Sequence, residues 1–174
     1  MTIEIRPVRP EEYEEAGRVT ADAYRRLGRP GADEGWRGYL DHLADVADRA
    51  QRTTVLVAVE KGDIVGTVTL ELDRRVEEGE DHREARRLPP HESHVRMLGV
   101  RPDAQGRGIG RALMDACIDI ARENGKTLMT LHTTDRMTVA HRMYESMGFV
   151  REPDWQVSED FTLMSYSLEI DREG

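Results

Sequence analysis

The chain has 174 residues, 38% hydrophobic and 34% charged, with a formal net charge of −9. That length fits a single domain over residues 1–174 with a sizeable core. The acidic balance argues against general nucleic-acid binding, which needs a basic face to displace counterions, and no apolar run is long enough to span a membrane.

Thr2 to Val8 alternates and reads as a strand. Pro10 opens a helix whose Glu-rich first turn suits the helix dipole. It runs to about Leu27, where Gly28-Arg29-Pro30-Gly31 breaks the pattern. A second helix is expected from Asp33 to Ala50. Thr53 to Glu60 (TTVLVAVE) is a strongly apolar strand, Lys61-Gly62-Asp63 a tight turn, and Ile64 to Leu72 the returning half of a hairpin. Asp73 to Glu92 shows no periodicity and is crowded with Arg, Glu and Asp. It reads as a long loop, either a solvated insertion or a segment covering a substrate.

Val95 to Val100 is a buried strand, followed by a glycine loop and a helix from Ile109 to Asn124. Gly125 ends that helix as a left-handed residue would. Thr127 to His132 is the next strand, so strand, helix and strand form a βαβ unit with a right-handed crossover. The last helix is expected from Arg136 to Met147, capped by Thr134 or Asp135, with Ala140, Met143, Tyr144 and Met147 on one apolar face. Gly148-Phe149 closes it as a Schellman pair. Val150 to Val157 and Phe161 to Ile170 are the final strands. The single cysteine, Cys117, lies on the apolar stripe Leu113, Cys117, Ile120, Ala121 and reads as core rather than nucleophile. No internal disulfide can form, the N-terminus lacks signal-peptide form, and the chain reads as cytoplasmic.

The most informative stretch is Gln105-Gly106-Arg107-Gly108-Ile109-Gly110. Glycines at a strand-to-helix junction let the backbone approach a ligand closely. The first amides of a helix lack intrahelical partners and face the positive end of its dipole. Such a loop suits a phosphate or pyrophosphate. Arg101, Arg107 and Arg111 add positive charge, offset in the local sequence only by Asp103. No G-x-x-x-x-G-K-[ST] string occurs. A dinucleotide G-x-G-x-x-G/A fails, because the last position is Arg111 when read from Gly106 and Leu113 when read from Gly108. The pattern Q/R-x-x-G-x-G/A is matched in full by Gln105, Gly108 and Gly110.

With that loop in place the chain resembles the GNAT superfamily of acetyl-CoA-dependent N-acetyltransferases over almost its whole length. The resemblance takes in Met97-Leu98-Gly99-Val100-Arg101-Pro102, the loop QGRGIG, the helix GRALMDACIDIAREN and Ala140 through Phe149, which carries A-x-x-x-Y-x-x-x-G-F. It implies an α/β fold with a mixed, mostly antiparallel seven-stranded sheet, a central V-shaped splay and about four helices. It also implies acetyl-CoA as co-substrate. The main-chain amides of Gln105, Gly106, Arg107, Gly108, Ile109, Gly110 and Arg111 would hold the coenzyme's pyrophosphate. Leu98, Gly99 and Val100 would pair with the pantetheine arm, and the Leu98 N–H would polarise the thioester carbonyl.

Tyr144 matches the family tyrosine that hydrogen-bonds the departing sulfur. A phenol has a pKa of about 10 and a thiol about 8.5, so full proton transfer would be uphill by about 2 kcal/mol. The expected role is therefore a hydrogen bond to charge developing on sulfur. Two departures stand out. Met137 occupies the position where relatives often carry a cofactor-contacting Asn. His94 occupies the position of the usual Glu base, with Glu92 two residues earlier. An alkylammonium of pKa about 10 must lose a proton before it attacks, and an imidazole of pKa about 6.5 suits that task. His94 is ranked first as base and Glu92 second; a histidine merely satisfied beside the sheet is the competing reading.

Tyr24, Trp36 and Tyr39 between the first two helices, and Trp155 in the break Pro153-Asp154-Trp155, are candidate acceptor contacts, each equally readable as ordinary packing. His82, His91 and His94 match no standard metal spacing, so no metal is assigned. The expected activity is acetyl transfer to a primary amine by direct attack in a ternary complex, with a small-molecule acceptor favoured. The alternatives are a catalytically silent acyl-CoA sensor and a protein N-terminal or lysine acetyltransferase. Many relatives pair as homodimers through their late strands.

Overall fold

The computed structural model describes residues 2–26, 34–76, 85–158 and 161–171. The elements run β1 (Glu4–Pro7), a 3-10 turn (Pro10–Glu12), α1 (Tyr13–Arg25), α2 (Glu34–Ala44), α3 (Val46–Arg49), β2 (Thr54–Glu60), β3 (Asp63–Glu71), β4 (Arg74–Val76) and β5 (Ala85–Arg87). They continue with β6 (Glu92–Val100), a 3-10 turn (Pro102–Ala104), α4 (Ile109–Glu123), β7 (Leu128–Thr133), α5 (Thr138–Ser146), β8 (Val150–Ser158) and β9 (Phe161–Glu169). The main sheet has the seven strands that the family resemblance implies, hydrogen-bonded in the order β1-β2-β3-β6-β7-β9-β8, and β4 pairs β5 separately. β6 and β7 pair in parallel across α4, while the ladders β1–β2, β2–β3, β7–β9 and β8–β9 are antiparallel.

The chain separates into two compact units. The first comprises Met1–Leu70 and Met97–Ala116. Its strands β2 and β3 are buried along nearly their whole length, as a strand covered on both faces must be, which is why TVLVAVE reads as a continuous apolar run. Lys61 and Gly62 both take positive φ, 52° and 85°, the signature of a type I′ hairpin turn. α1 turns Ala16, Gly17, Val19, Thr20 and Ala21 inward. Ala16 and Val19 pack with Val46, Val55, Val57, Val59 and Ile64. Ala21 packs with Leu43 and Met97. The second unit comprises Glu71–Arg96 and Cys117–Gly174. Met129, Leu131, Leu163 and Tyr166 of its strands are buried, as are Cys117 and Ala121 of α4 and Tyr144 of α5.

The structure corrects the sequence reading at five places. The second helix divides at Asp45, whose side chain accepts from Asp48 N at 3.1 Å; a cap on a non-helical residue (φ −83°, ψ 69°) makes two helices of one and raises the count to five among the described residues. The expected loop 73–92 contains the antiparallel pair β4–β5, built by main-chain hydrogen bonding that its side-chain pattern does not betray. Residues 77–84 of that loop, and the break Gly28 to Gly31, lie outside the described residues. β6 starts at Glu92, three residues before the expected strand, so Glu92, Ser93 and His94 are strand residues. α5 is not capped by Thr134 or Asp135: Met137 N bonds Thr134 O at 3.2 Å, closing a turn that moves the N-cap to Met137. The expected break at Trp155 is a register shift inside β8. The Schellman closure of α5 is as expected, with Phe149 N on Tyr144 O at 3.0 Å and Gly148 N on Glu145 O at 3.1 Å.

Candidate active site

In the first unit the end of β6 feeds the glycine loop. Gly106 and Gly108 take φ of +75° and +80°, which side-chain-bearing residues rarely adopt. The first bond of α4 runs from Ala112 N to Gly108 O at 3.0 Å. Gly108 is therefore the N-cap, and the amides of Ile109, Gly110 and Arg111 precede the ladder. Two left-handed turns followed by a helix N-terminus make a concave set of N–H donors suited to an anion. Gln105 Nε2 reaches back to Val100 O at 3.4 Å, fastening the loop to the strand that carries Leu98 and Gly99.

The arginines differ from expectation. Arg107 pairs with Glu60 at 2.5 Å, and Arg101 pairs with Asp103 at 2.5 Å. Each guanidinium holds its carboxyl below the usual carboxylate range. Glu60 sits 47 residues away in sequence, which is why Asp103 looked like the only offsetting charge. Oriented amides and the helix dipole add positive potential at the loop beside these paired arginines.

Tyr24 and Tyr39 meet edge-on at 6.3 Å, and Trp36 lies 5.8 Å from Tyr39, so these three candidates form one aromatic cluster between α1 and α2. A cavity of about 520 Å³ in the same unit is lined by Glu15, Arg18, Asp22, Arg25 and Arg101, none of them an expected site residue apart from the loop-flanking Arg101.

In the second unit, the parallel ladder of β6 and β7 pairs Glu92 to Val95 with Leu128 to Leu131. β6 runs on to Val100, and Met97 turns to φ +57° beyond the ladder's end. The ladder sets His94 opposite Thr130. His94 is only 3% exposed, its Nδ1 2.8 Å from the Thr130 hydroxyl. Thr130 donates to Glu92 Oε1 at 2.9 Å, with Ser93 O at 3.4 Å. The two base candidates therefore belong to one hydrogen-bonded chain. The His132 ring lies 5.2 Å from that of His94 and 5.3 Å from that of Trp155, and its Nδ1 is 3.0 Å from Ser165 Oγ. Thr130 and His132 were missed. Their alternation along β7 was visible, but the register that brings them to His94 was not.

Tyr144 is buried at 5% exposure, its ring 5.6 Å from Phe149 and 5.9 Å from Tyr166. Met137 caps α5 and receives the Thr133 hydroxyl on its sulfur at 3.2 Å. Cys117 is fully buried, and that burial pushes its thiol up to about 12, so it stays protonated and unreactive. No helix among the described residues is long and apolar enough to cross a membrane. No group of three or more metal-ligating side chains occurs among them.

The profile of the acetyltransferase (GNAT) family matches residues 22–149. A mycothiol acetyltransferase from Sanguibacter keddieii is 31% identical over 150 residues, covering 86% of this chain and 44% of that protein. The N-alpha-acetyltransferase RimI of Mycobacterium tuberculosis is 42% identical over 65 residues, 37% of this chain and 39% of that one. The matched part is thus less than half the length of either relative. Among solved structures, yncA from Salmonella typhimurium, with its cofactor acetyl-CoA, has a TM-score of 0.70 at 23% identity, covering 100% of this chain and 97% of that chain. The sheet order, the glycine loop and the profile match agree: the chain belongs to the GNAT family of acetyltransferases.

Proposed function

We propose that this protein transfers an acetyl group from acetyl-CoA to a primary amine by direct attack in a ternary complex. The observation that carries the reading is the pair of left-handed glycines, Gly106 and Gly108, opening α4. They gather main-chain donors where a diphosphate would be held. Acetyl-CoA supplies a thioester-activated acetyl group. Leu98, Gly99 and Val100 accompany the pantetheine arm, and the Leu98 amide polarises the carbonyl. His94 accepts a proton from the acceptor's ammonium so that the neutral amine can attack, and Tyr144 donates a hydrogen bond to the leaving sulfur. Met137 contacts the coenzyme through packing. The inert Cys117 speaks against a covalent acetyl-enzyme.

A small-molecule acceptor has the support of the likeness to mycothiol acetyltransferase along 86% of the chain. Tyr24, Trp36, Tyr39 and Trp155 are its proposed contacts. A second reading, acetylation of protein N-termini, draws on the shorter likeness to RimI. The reaction is placed in the cytoplasm, and the protein is proposed to act as a homodimer. A panel of small amines and N-terminal peptides, with released thiol followed during acetyl-CoA consumption, tests the proposal. Thiol release with a small amine supports it, and release with peptides alone supports the second reading. Tight coenzyme binding without thiol release from any amine would mean an acyl-CoA sensor.

A further inference from the structure

Glu92, Thr130 and His94 decide between them where the proton of the His94 ring resides. A threonine hydroxyl has one proton to give and two lone pairs to offer. The Thr130 hydroxyl faces Glu92 Oε1 at 2.9 Å and Ser93 O at 3.4 Å. An ionised carboxylate and a carbonyl can only accept, and a carboxylate is a stronger acceptor than a neutral imidazole nitrogen, so the hydroxyl proton is assigned to Glu92. What Thr130 Oγ1 then offers to His94, 2.8 Å away, is a lone pair. With the hydroxyl proton on Glu92, Nδ1 of the neutral ring carries the ring proton, which leaves Nε2 as the ring's basic nitrogen. The parallel register that pairs His94 with Thr130 fixes this arrangement on two adjacent strands. On the neighbouring strand β7 the His132 ring lies 5.2 Å from that of His94.

We propose that Thr130, held by Glu92, is a positioning residue that locks His94 in the Nδ1-protonated form and so presents Nε2 for proton abstraction. The inference rests on the reading of His94 as the base. It also assigns the two carboxyl and imidazole candidates different tasks. Glu92 does not take the proton from the amine; it fixes the hydroxyl that fixes the imidazole.

Ring-¹⁵N-labelled histidine NMR, at a pH where the ring is neutral, reads the tautomer directly, with the His94 signals assigned by their loss in His94→Gln. The wild-type protein is expected to show protonated Nδ1 and bare Nε2. Thr130→Val, which removes the hydroxyl, is expected to mix the tautomers and lower turnover about 10- to 100-fold at unchanged KM for acetyl-CoA. Thr130→Ser, which restores the hydroxyl, is expected to recover both the tautomer and most of the turnover. Wild-type His94 protonated on Nε2 would overturn the proposal. So would a Thr130→Val variant with unaltered tautomer, or with altered tautomer and wild-type turnover. If the wild-type tautomer is as stated but His94→Gln keeps full turnover and its acidic pH limb, the reading of His94 as base fails instead, and the two failures are told apart.

Discussion

Arg107 lays its guanidinium against the Glu60 carboxylate, Nη1 and Nη2 standing 2.9 and 2.5 Å from the two oxygens. Arg107 is thus tied to β2, and the proposed grip on a diphosphate is assigned to the loop's main chain. Water screens this exposed pair, so Arg107→Gln is expected to change coenzyme A affinity by less than about fivefold. Isothermal titration checks this. A loss above about 100-fold would mean that the guanidinium itself carries the phosphate.

Tyr144→Phe keeps the ring that packs with Phe149 and Tyr166 and removes only the hydroxyl. Turnover is expected to fall about 10- to 100-fold, with coenzyme affinity and melting temperature nearly unchanged. Steady-state kinetics beside a thermal melt separates this from a packing defect. Wild-type turnover in the variant would remove Tyr144 from the mechanism.

The parts of the fold legible in the sequence were those written in local chemistry. The glycine loop, the helix stop at Gly125 and the Schellman closure at Gly148-Phe149 depend on a few neighbouring residues, and the structure has them as read. The apolar run of β2 and the Lys61-Gly62 turn announced the β2–β3 hairpin. What escaped depended on partners distant in sequence. Glu60 neutralises Arg107 across 47 residues, and Thr130 reaches Glu92 across 38. The strand character of Glu92 to His94 was hidden because polar residues there satisfy one another within the sheet. A capping aspartate inside an amphipathic stretch split α2 from α3, and periodicity does not register a cap.

Cys117 is expected to be inert. Burial raises its thiol to about 12, so the thiolate is scarce at neutral pH. Iodoacetamide should leave the native protein unmodified, and mass spectrometry after mixing with acetyl-CoA should show no acetyl adduct. Cys117→Ala is expected to stay active and to lose about 1 kcal/mol or less of stability, since it removes a single sulfur. An acetylated Cys117 would replace direct attack by a two-step transfer.

Glu12 makes stability depend on pH in the acid range. Arg6 donates to its two oxygens at 2.9 and 2.6 Å, and Arg9 N donates at 2.9 Å. The Arg6 hydrogen bonds lead in drawing the carboxyl down from 4.5 to about 2. The folded value lies below the unfolded one, so the stabilisation is complete above pH 4.5 and fades as pH falls towards 2. Solvent screening at this half-buried pair holds the effect to about 1–2 kcal/mol. Urea unfolding at about pH 5.5 and about pH 3 should show wild type losing that much more stability than Glu12→Gln. Equal losses would remove the pair as the cause.

The amides from Gln105 to Arg111 are proposed to hold the diphosphate of coenzyme A. A crystal structure of the protein with coenzyme A measures this. The diphosphate oxygens should lie about 3 Å from these main-chain nitrogens, with the left-handed turns at Gly106 and Gly108 retained. A diphosphate bound by side chains elsewhere, with the loop amides facing only water, would overturn this assignment.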